Sequence, residues 1–285
     1  MKLVLHALML TSFKFKQYTS VDPQSVFDSD STLDQIALTV AKLHQMNQVP
    51  IAKNKKFLLE KIETFKELIE RRVQSTLNDF NKKMTDQLQQ QNSISFNLVQ
   101  ELDFVRQQVT DCTEPLVFSH NDLNLGSMLW RNDILGVKHQ KTSNPRLMLI
   151  NYDICGFNFR AFDLASWLNS IYLIHLELNA TEALPFDAPP FVHLKKILIY
   201  KYLHYTSKRT QTSVKGISTA QEQNLSESDY STLKKQIARF QMISTLLSTL
   251  LSLSTQIELN VSQPLPVRSV NYIILNNVPF SETLP

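Results

Sequence analysis

The sequence predicts an α+β fold that is mainly helical, with one small β-hairpin near the middle of the chain. In several segments apolar residues recur every three or four positions, which is the period of an amphipathic helix. Two short apolar runs, Ser127–Trp130 and Leu147–Tyr152, instead flank a polar insert that contains Asn144 and Pro145. This pattern is typical of two strands joined by a loop. We therefore expect helices on both sides of a hairpin that spans residues 127–152.

Length and composition are those of an ordinary globular protein. Of the 285 residues, 43% are hydrophobic, which is enough to form a buried core. The 29 basic and 26 acidic residues give a net charge of +3, and no Lys/Arg-rich run offers a binding surface for nucleic-acid phosphates. No segment approaches the roughly 18 apolar residues of a membrane span. We expect neither a nucleic-acid partner nor a membrane-spanning helix.

The first residues are predicted to form a strand. Met1–Leu10 is apolar but short, is interrupted by His6 and has no small-residue cleavage site. A buried strand that continues into Phe13–Tyr18 is therefore favoured over a signal peptide. Phe13–Lys16 alternates apolar and charged residues, as a half-buried strand does. Asp22 and Pro23 are expected to break this strand.

The next segments have helical periodicity. Asp30 or Ser31 is predicted to cap a helix that ends before Pro50, and near its end we expect His44 to be a core histidine rather than a catalytic one. A long amphipathic helix follows, and a further one is predicted at Ser95–Val109. The apolar positions of the long helix are Leu58, Ile62, Phe65, Ile69, Val73, Leu77, Phe80, Met84 and Leu88.

Helices also dominate the chain after the hairpin. Asp163 is predicted to cap a helix through Ile171, and further helices are predicted at Phe191–Tyr205 and Lys234–Ile257. Between these two lies Ser207–Ser231, which is polar and reads as a surface loop. Beyond residue 260 the sequence has no helical period.

Polar residues collect where the loops at the two ends of the hairpin strands meet. His120-Asn121-Asp122 precedes the first strand, and Asp153 follows the second. Phosphoryl transfer needs a carboxylate that accepts the proton of the attacking hydroxyl, together with oxygen ligands for Mg²⁺. This grouping therefore favours phosphoryl transfer, with Asp122 as the carboxylate.

Three motifs in this region resemble those of the choline/ethanolamine kinase family, which is related to aminoglycoside phosphotransferases and protein kinases. They are HNDLNLGS (120–127), INYD (150–153) and FNFRAFD (157–163), where the family has patterns like HNDxxxGN, IDFE and YNxRGFD. The resemblance covers roughly residues 15–257. It implies the large, C-terminal lobe of a protein-kinase-like fold, with the hairpin at the active site.

The resemblance implies a role for each residue of these motifs. Asp122 would be the general base, within the catalytic triplet of His120, Asn121 and Asp122. Substrate contacts are expected from Asn124, Phe157 and Phe159. The residues expected to support the catalytic loop are Arg160 and Asp163.

The implied metal site departs from the family pattern. Ser127 stands where the family has a metal-binding Asn, and Asn151 stands where it has a metal-binding Asp; Asp153 retains a carboxylate. A neutral amide is a poorer ligand for Mg²⁺ than a carboxylate. We therefore expect Mg²⁺ and ATP as cofactors, with binding weakened or lost.

The resemblance also divides the chain into three parts. Residues 1–22 would be a remnant of the small lobe or its connector, 23–257 the helical lobe and 258–285 an irregular tail. The four glycines lie at 126, 136, 156 and 216, so we expect the small lobe's Gly-rich loop over the phosphates to be missing from this chain.

Two hypotheses about function follow. The first is ATP-dependent phosphorylation of ethanolamine or choline, in the first step of phospholipid head-group synthesis. The second is a truncated or degenerate kinase-like scaffold, a pseudokinase without activity.

Cys112 and Cys155 are too few for a disulfide framework, so a reducing cytosol is expected. The resemblance is compatible with a homodimer.

Overall fold

The computed structural model describes residues 18–49, 56–72, 82, 97–131, 147–178, 187–211 and 227–258. In chain order its elements are β1 (Tyr18–Ser20), α1 (Pro23–Asp28), α2 (Asp30–His44), α3 (Lys56–Arg72), α4 (Leu98–Thr110), β2 (Leu116–Ser119), a 3₁₀ turn (Leu125–Ser127), β3 (Met128–Arg131), β4 (Leu147–Leu149), β5 (Gly156–Phe159), α5 (Arg160–Leu178), α6 (Pro189–Gln211) and α7 (Glu227–Glu258). The prediction of a mainly helical α+β fold is confirmed over these residues. None of the helices in this part of the chain is long and apolar enough to cross a membrane.

The predicted hairpin is present as the antiparallel pair β3 and β4. Met128 lies opposite Leu149, and Trp130 lies opposite Leu147. Strand β1 pairs antiparallel with the other edge of β3, which makes a three-stranded sheet in the order β1-β3-β4. The predicted N-terminal strand, which continues through Phe13–Tyr18, lies outside the described residues except for Tyr18, the first residue of β1. Strands β2 and β5 were not predicted.

Two helix starts differ from the sequence predictions. Asp22 and Pro23 begin a short helix instead of only ending a strand. Asp22 is the cap, because its Oδ1 accepts a hydrogen bond from Gln24 N at 3.3 Å. Proline is tolerated at the first position of a helix, where a backbone N–H would have no partner within the helix. For α2, neither Asp30 nor Ser31 is the cap, so that prediction is wrong. Ser29 is the cap, because its backbone is extended and its Oγ accepts from Thr32 N at 3.4 Å.

Later helices have the predicted positions with different ends. Helix α4 starts at Leu98 with Asn97 as its cap. Of the predicted long helix, the structure describes Lys56–Arg72, which is α3, and residue 82, which is also helical. Helix α6 extends to Gln211 and α7 begins at Glu227, so residues 207–211 and 227–231 of the predicted surface loop are helical. The rest of that predicted loop lies outside the described residues. The predicted irregular tail lies outside the described residues.

Asp163 is not the cap of its helix, which corrects a further prediction. Helix α5 already begins at Arg160, so Asp163 lies inside the first turn, where its side chain is fully buried. A carboxylate in a first turn still interacts favourably with the positive end of the helix dipole.

The described residues fall into two compact units. The first comprises those within 1–50, 117–155 and 170–235, and the second those within 51–116, 156–169 and 236–285. The predicted boundaries at residues 22 and 257 remain predictions.

In the first unit, α2 packs against α1 and α6. His44 is buried, and its Nδ1 forms a 2.9 Å hydrogen bond with the phenol oxygen of Tyr202. Asp34 accepts a hydrogen bond from the Tyr205 phenol at 2.7 Å. The prediction of a core histidine at position 44 is therefore confirmed.

In the second unit, α3 packs against α4 and lies beside β5. Lys66 and Asp103 form an ion pair at 2.6 Å between the two helices. The buried Asn169 amide donates to Gln241 O at 2.8 Å and to Ser244 Oγ at 2.6 Å, which ties α5 to α7. Buried polar groups of this kind are paired, because leaving them unpaired would be costly.

Candidate active site

Two side chains of the predicted catalytic triplet hold the segment that follows β4. His120 Nε2 lies 2.8 Å from Ile150 O, and since a carbonyl only accepts, this ring nitrogen carries the proton. Asn121 Nδ2 donates to Ile154 O at 2.9 Å. Both side chains are buried. The segment 150–154 is therefore fixed to the catalytic loop at both of its ends.

Backbone geometry also marks these two loops. Asn121 and Asn151 have φ values of 66° and 64°, and they are the non-glycine residues with positive φ in the described part of the chain. Asparagine tolerates this left-handed conformation better than most residues. Unusual backbone conformations concentrate at functional sites, where the surrounding contacts hold them in place.

Asp122 is exposed, and its position is fixed by its neighbours in the loop. The Asn124 amide nitrogen donates to Asp122 O at 3.0 Å and to Asp122 Oδ1 at 3.2 Å. The opposite end of the same amide, Asn124 Oδ1, accepts from Ser127 N at 3.1 Å. The predicted general base therefore has a solvent-accessible carboxylate on an ordered turn.

Ser127 is buried in that turn. Its hydroxyl donates to Asn124 O at 2.7 Å and accepts from Asn124 N at 3.1 Å, which closes a capping box around the 3₁₀ turn. A hydroxyl occupied in this way and shielded from solvent is poorly placed to bind a metal ion. We therefore leave Ser127 out of the proposed metal site.

Two apolar residues beside the predicted site were missed by the sequence analysis. Tyr152 and Ile154 are 45% and 38% exposed, and they alternate with the exposed Asn151 and Asp153. The ring centroids of Tyr152 and His120 lie 5.3 Å apart. Partial burial raises the pKa of the Tyr152 phenol. The signal for them was the alternation of polar and apolar residues after β4.

The remaining predicted residues belong to the second unit. Phe157 is half-buried, and the Arg160 guanidinium donates to Gln236 Oε1 at 3.3 Å. Phe159 is 1% exposed, and its ring stacks on that of Phe240 with the two ring centroids 5.2 Å apart. The prediction that Phe159 contacts substrate is therefore replaced by a core role, because a fully packed ring has no face to offer a ligand.

Two exposed oxygen donors near the Asp122 loop fit Mg²⁺ bound together with a nucleotide. They belong to Asn151 and Asp153, on the segment that His120 and Asn121 join to this loop by hydrogen bonds. Within the described residues no three His, Cys, Asp or Glu side chains cluster as a metal-ligand set. Mg²⁺ commonly uses one or two carboxylates and takes its other ligands from substrate phosphates and water.

Comparison with known proteins agrees with the motifs and the fold. A family model described as choline/ethanolamine kinase matches residues 13–265. Choline kinase A2 of Caenorhabditis elegans is 28% identical over 149 residues, which cover 46% of this chain and 34% of that protein. The match thus spans about a third of the length of this relative.

Two solved structures have a similar fold. An ethanolamine kinase of Plasmodium vivax matches with a TM-score of 0.58 and 13% identity, over 94% of this chain and 66% of the other. A choline/ethanolamine kinase family protein from Mesorhizobium loti matches with a TM-score of 0.54 and 14% identity, over 93% and 69% of the two chains. At these identities the likeness shows the kinase-like fold alone.

Proposed function

This chain belongs to the choline/ethanolamine kinase family, and from that premise we propose that it transfers the γ-phosphoryl group of ATP to the hydroxyl of ethanolamine or choline. The observation that carries the proposal is the exposed Asp122 carboxylate, held on a turn that is bonded to the segment bearing Asn151 and Asp153. Base and metal-type donors thereby occupy adjoining segments of one unit.

Asp122 has the chemistry that the transfer requires. Its carboxylate takes the proton of the substrate hydroxyl while the hydroxyl oxygen attacks the γ-phosphorus and the bond to the ADP oxygen breaks. A general base in the right geometry contributes about 10²–10⁴ in rate. Because Asp122 is exposed, a small alcohol can reach it.

Asp153 and Asn151 are the residues that we propose to hold Mg²⁺ with the nucleotide. The ion would neutralise charge on the β- and γ-phosphates. Asn151 supplies a neutral oxygen in place of a carboxylate, so metal affinity is lower than in a chain with Asp at this position.

The amine end of the substrate needs a different surface. Cations are attracted to aromatic faces, and Tyr152 is an exposed aromatic residue on the same segment as Asn151 and Asp153. We assign the ammonium contact to Tyr152, and Phe157 remains a predicted substrate contact. The product, a phosphate ester of an amino alcohol, would serve in phospholipid head-group synthesis.

The two free cysteines, Cys112 and Cys155, fit the expected cytosolic location. A homodimer remains a prediction.

The direct test uses the 285-residue protein with radiolabelled γ-phosphate of ATP and Mg²⁺. Ethanolamine or choline is expected to become labelled, whereas ethylamine, which lacks the hydroxyl, is not. The variant Asp111→Asn is the matched control for Asp122→Asn, because Asp111 is also an exposed carboxylate but lies at the end of α4. A parent protein that labels neither alcohol would refute the proposal and favour the scaffold hypothesis.

A further inference from the structure

The loop that carries Asp122 contains a closed network of hydrogen bonds. The Asn124 amide nitrogen donates hydrogen bonds to Asp122, and the Asn124 amide oxygen accepts one from Ser127 N. Ser127 in turn uses its hydroxyl as both donor and acceptor toward the Asn124 backbone. Both ends of the Asn124 amide and both roles of the Ser127 hydroxyl are therefore engaged within the turn.

We propose that Asn124 and Ser127 are positioning residues that hold the Asp122 carboxylate, and that neither binds substrate or metal. This inference deepens the proposed function and rests on it for its catalytic consequence. Asn124 acts directly on Asp122 Oδ1, and Ser127 acts one step away by fixing the Asn124 backbone and amide oxygen. A donor aimed at one carboxylate oxygen favours one rotamer of the Asp122 side chain.

Gly126 adds an independent observation. A Cβ atom built at this residue would lie 3.1 Å from Asn124 Oδ1, closer than side chains normally approach. The absence of a side chain at 126 therefore leaves room for the Asn124 amide in its bonded position. Gly126→Ala is expected to displace that amide without removing any hydrogen-bonding group.

Kinetic measurements separate positioning from binding. Asn124→Ala, Ser127→Ala and Gly126→Ala should each lower kcat, by about ten- to a hundredfold for Asn124→Ala, because a displacement near 1 Å can cost that much. KM for Mg·ATP and for the amino alcohol should change less than about twofold, since only a transition-state interaction is lost. Ser127→Thr retains the hydroxyl and should recover much of the kcat lost in Ser127→Ala.

A matched control comes from another asparagine at the start of a helix. Asn97 caps α4, where its Oδ1 accepts from Val99 N and Gln100 N. Asn97→Ala should lower stability through the lost cap but leave kcat and the pH profile unchanged. Any general effect of destabilisation on the assay would appear in this variant.

An activity-independent measurement keeps the inference testable if the protein shows no turnover. The Asp122 carboxyl can be followed by carbon NMR, with Asp122→Asn identifying its signal. Loss of a donor to a carboxylate disfavours the ionised form, so the titration should move to higher pH in Asn124→Ala and stay unchanged in Asn97→Ala. In an active protein the acid limb of the pH–rate profile should move the same way.

The outcomes are distinct. An unchanged Asp122 titration in Asn124→Ala overturns the positioning role, whether or not the protein is a kinase. A raised KM for Mg·ATP in Ser127→Ala with kcat unchanged would make Ser127 a metal ligand, and a raised KM for the amino alcohol in Asn124→Ala would make Asn124 a substrate contact. If the titration moves but the parent protein has no turnover, positioning stands and the proposed function fails.

Discussion

Replacing Asn121 tests how the catalytic loop is held, because the residue combines a left-handed backbone with a partly buried hydrogen bond. Its φ is 66°, and its amide donates to Ile154 O at 2.9 Å. Loss of one such hydrogen bond costs about 1 kcal/mol of stability. Placing alanine in the left-handed region costs roughly a further 1–2 kcal/mol, whereas glycine has no such penalty.

We therefore expect Asn121→Gly to lower the free energy of unfolding by about 1 kcal/mol and Asn121→Ala by about 2–3 kcal/mol. Urea-induced unfolding can be followed by tryptophan fluorescence, since Trp130 lies on β3 of the same unit. Asn151 is the matched control: it has a φ of 64° and an exposed side chain, so Asn151→Gly should be nearly neutral and Asn151→Ala should lose only the backbone contribution.

Equal losses for Asn121→Gly and Asn121→Ala would contradict the backbone part of this reasoning. Losses below about 0.5 kcal/mol for both would contradict the hydrogen bond as well.

Three further predictions concern the metal site, the support of α5 and the effect of pH. Asn151→Asp should tighten binding of Mg·ATP in calorimetry, because it adds a carboxylate ligand, and the same affinity in parent and variant would place the metal elsewhere. Asp163→Ala should lower stability by about 0.5–2 kcal/mol, because a buried first-turn carboxylate is lost; an unchanged urea midpoint would refute a supporting role. Burial, assisted by the charge of Lys234, lowers the pKa of Lys195 to about 8. The unfolded chain therefore binds the extra proton between about pH 8 and 10, so stability should rise with pH in that window. Lys195→Met should flatten this rise and the exposed neighbour variant Lys196→Met should not, and a parent protein whose stability does not change there would contradict the burial of Lys195.

The sequence was sufficient to predict the hairpin and the helices other than α1. Their patterns reflect which face is buried, and spacing alone sets that face. The run predicted at Leu147–Tyr152 pairs, through Leu147–Leu149, with Met128–Trp130 of the run predicted at Ser127–Trp130. Helix ends were predicted less well. Ser29, Asp30 and Ser31 are all good capping residues, and the choice among them depends on which backbone is extended, which spacing does not reveal.

The candidate site was predicted by residue type but not by the direction of its side chains. Asp122 and Asp153 are exposed as a catalytic base and a metal ligand require. Ser127 carries an oxygen suited to a metal, yet the local turn takes up that oxygen. Phe159 is aromatic, as a cation-binding residue should be, but it packs on Phe240, whereas Tyr152 has an exposed ring. A local turn decides the outcome at Ser127, and tertiary packing decides the outcomes at Phe159 and Tyr152.

The measurement that tests the central claim most directly is the turnover of Asp122→Asn with Mg·ATP and ethanolamine or choline. The substitution retains the shape of the side chain and removes its ability to accept the hydroxyl proton. We predict that the parent protein forms the phosphorylated amino alcohol and that the variant is slower by about 10²–10⁴, with an unchanged urea midpoint. Full turnover by Asp122→Asn would contradict base catalysis by this residue.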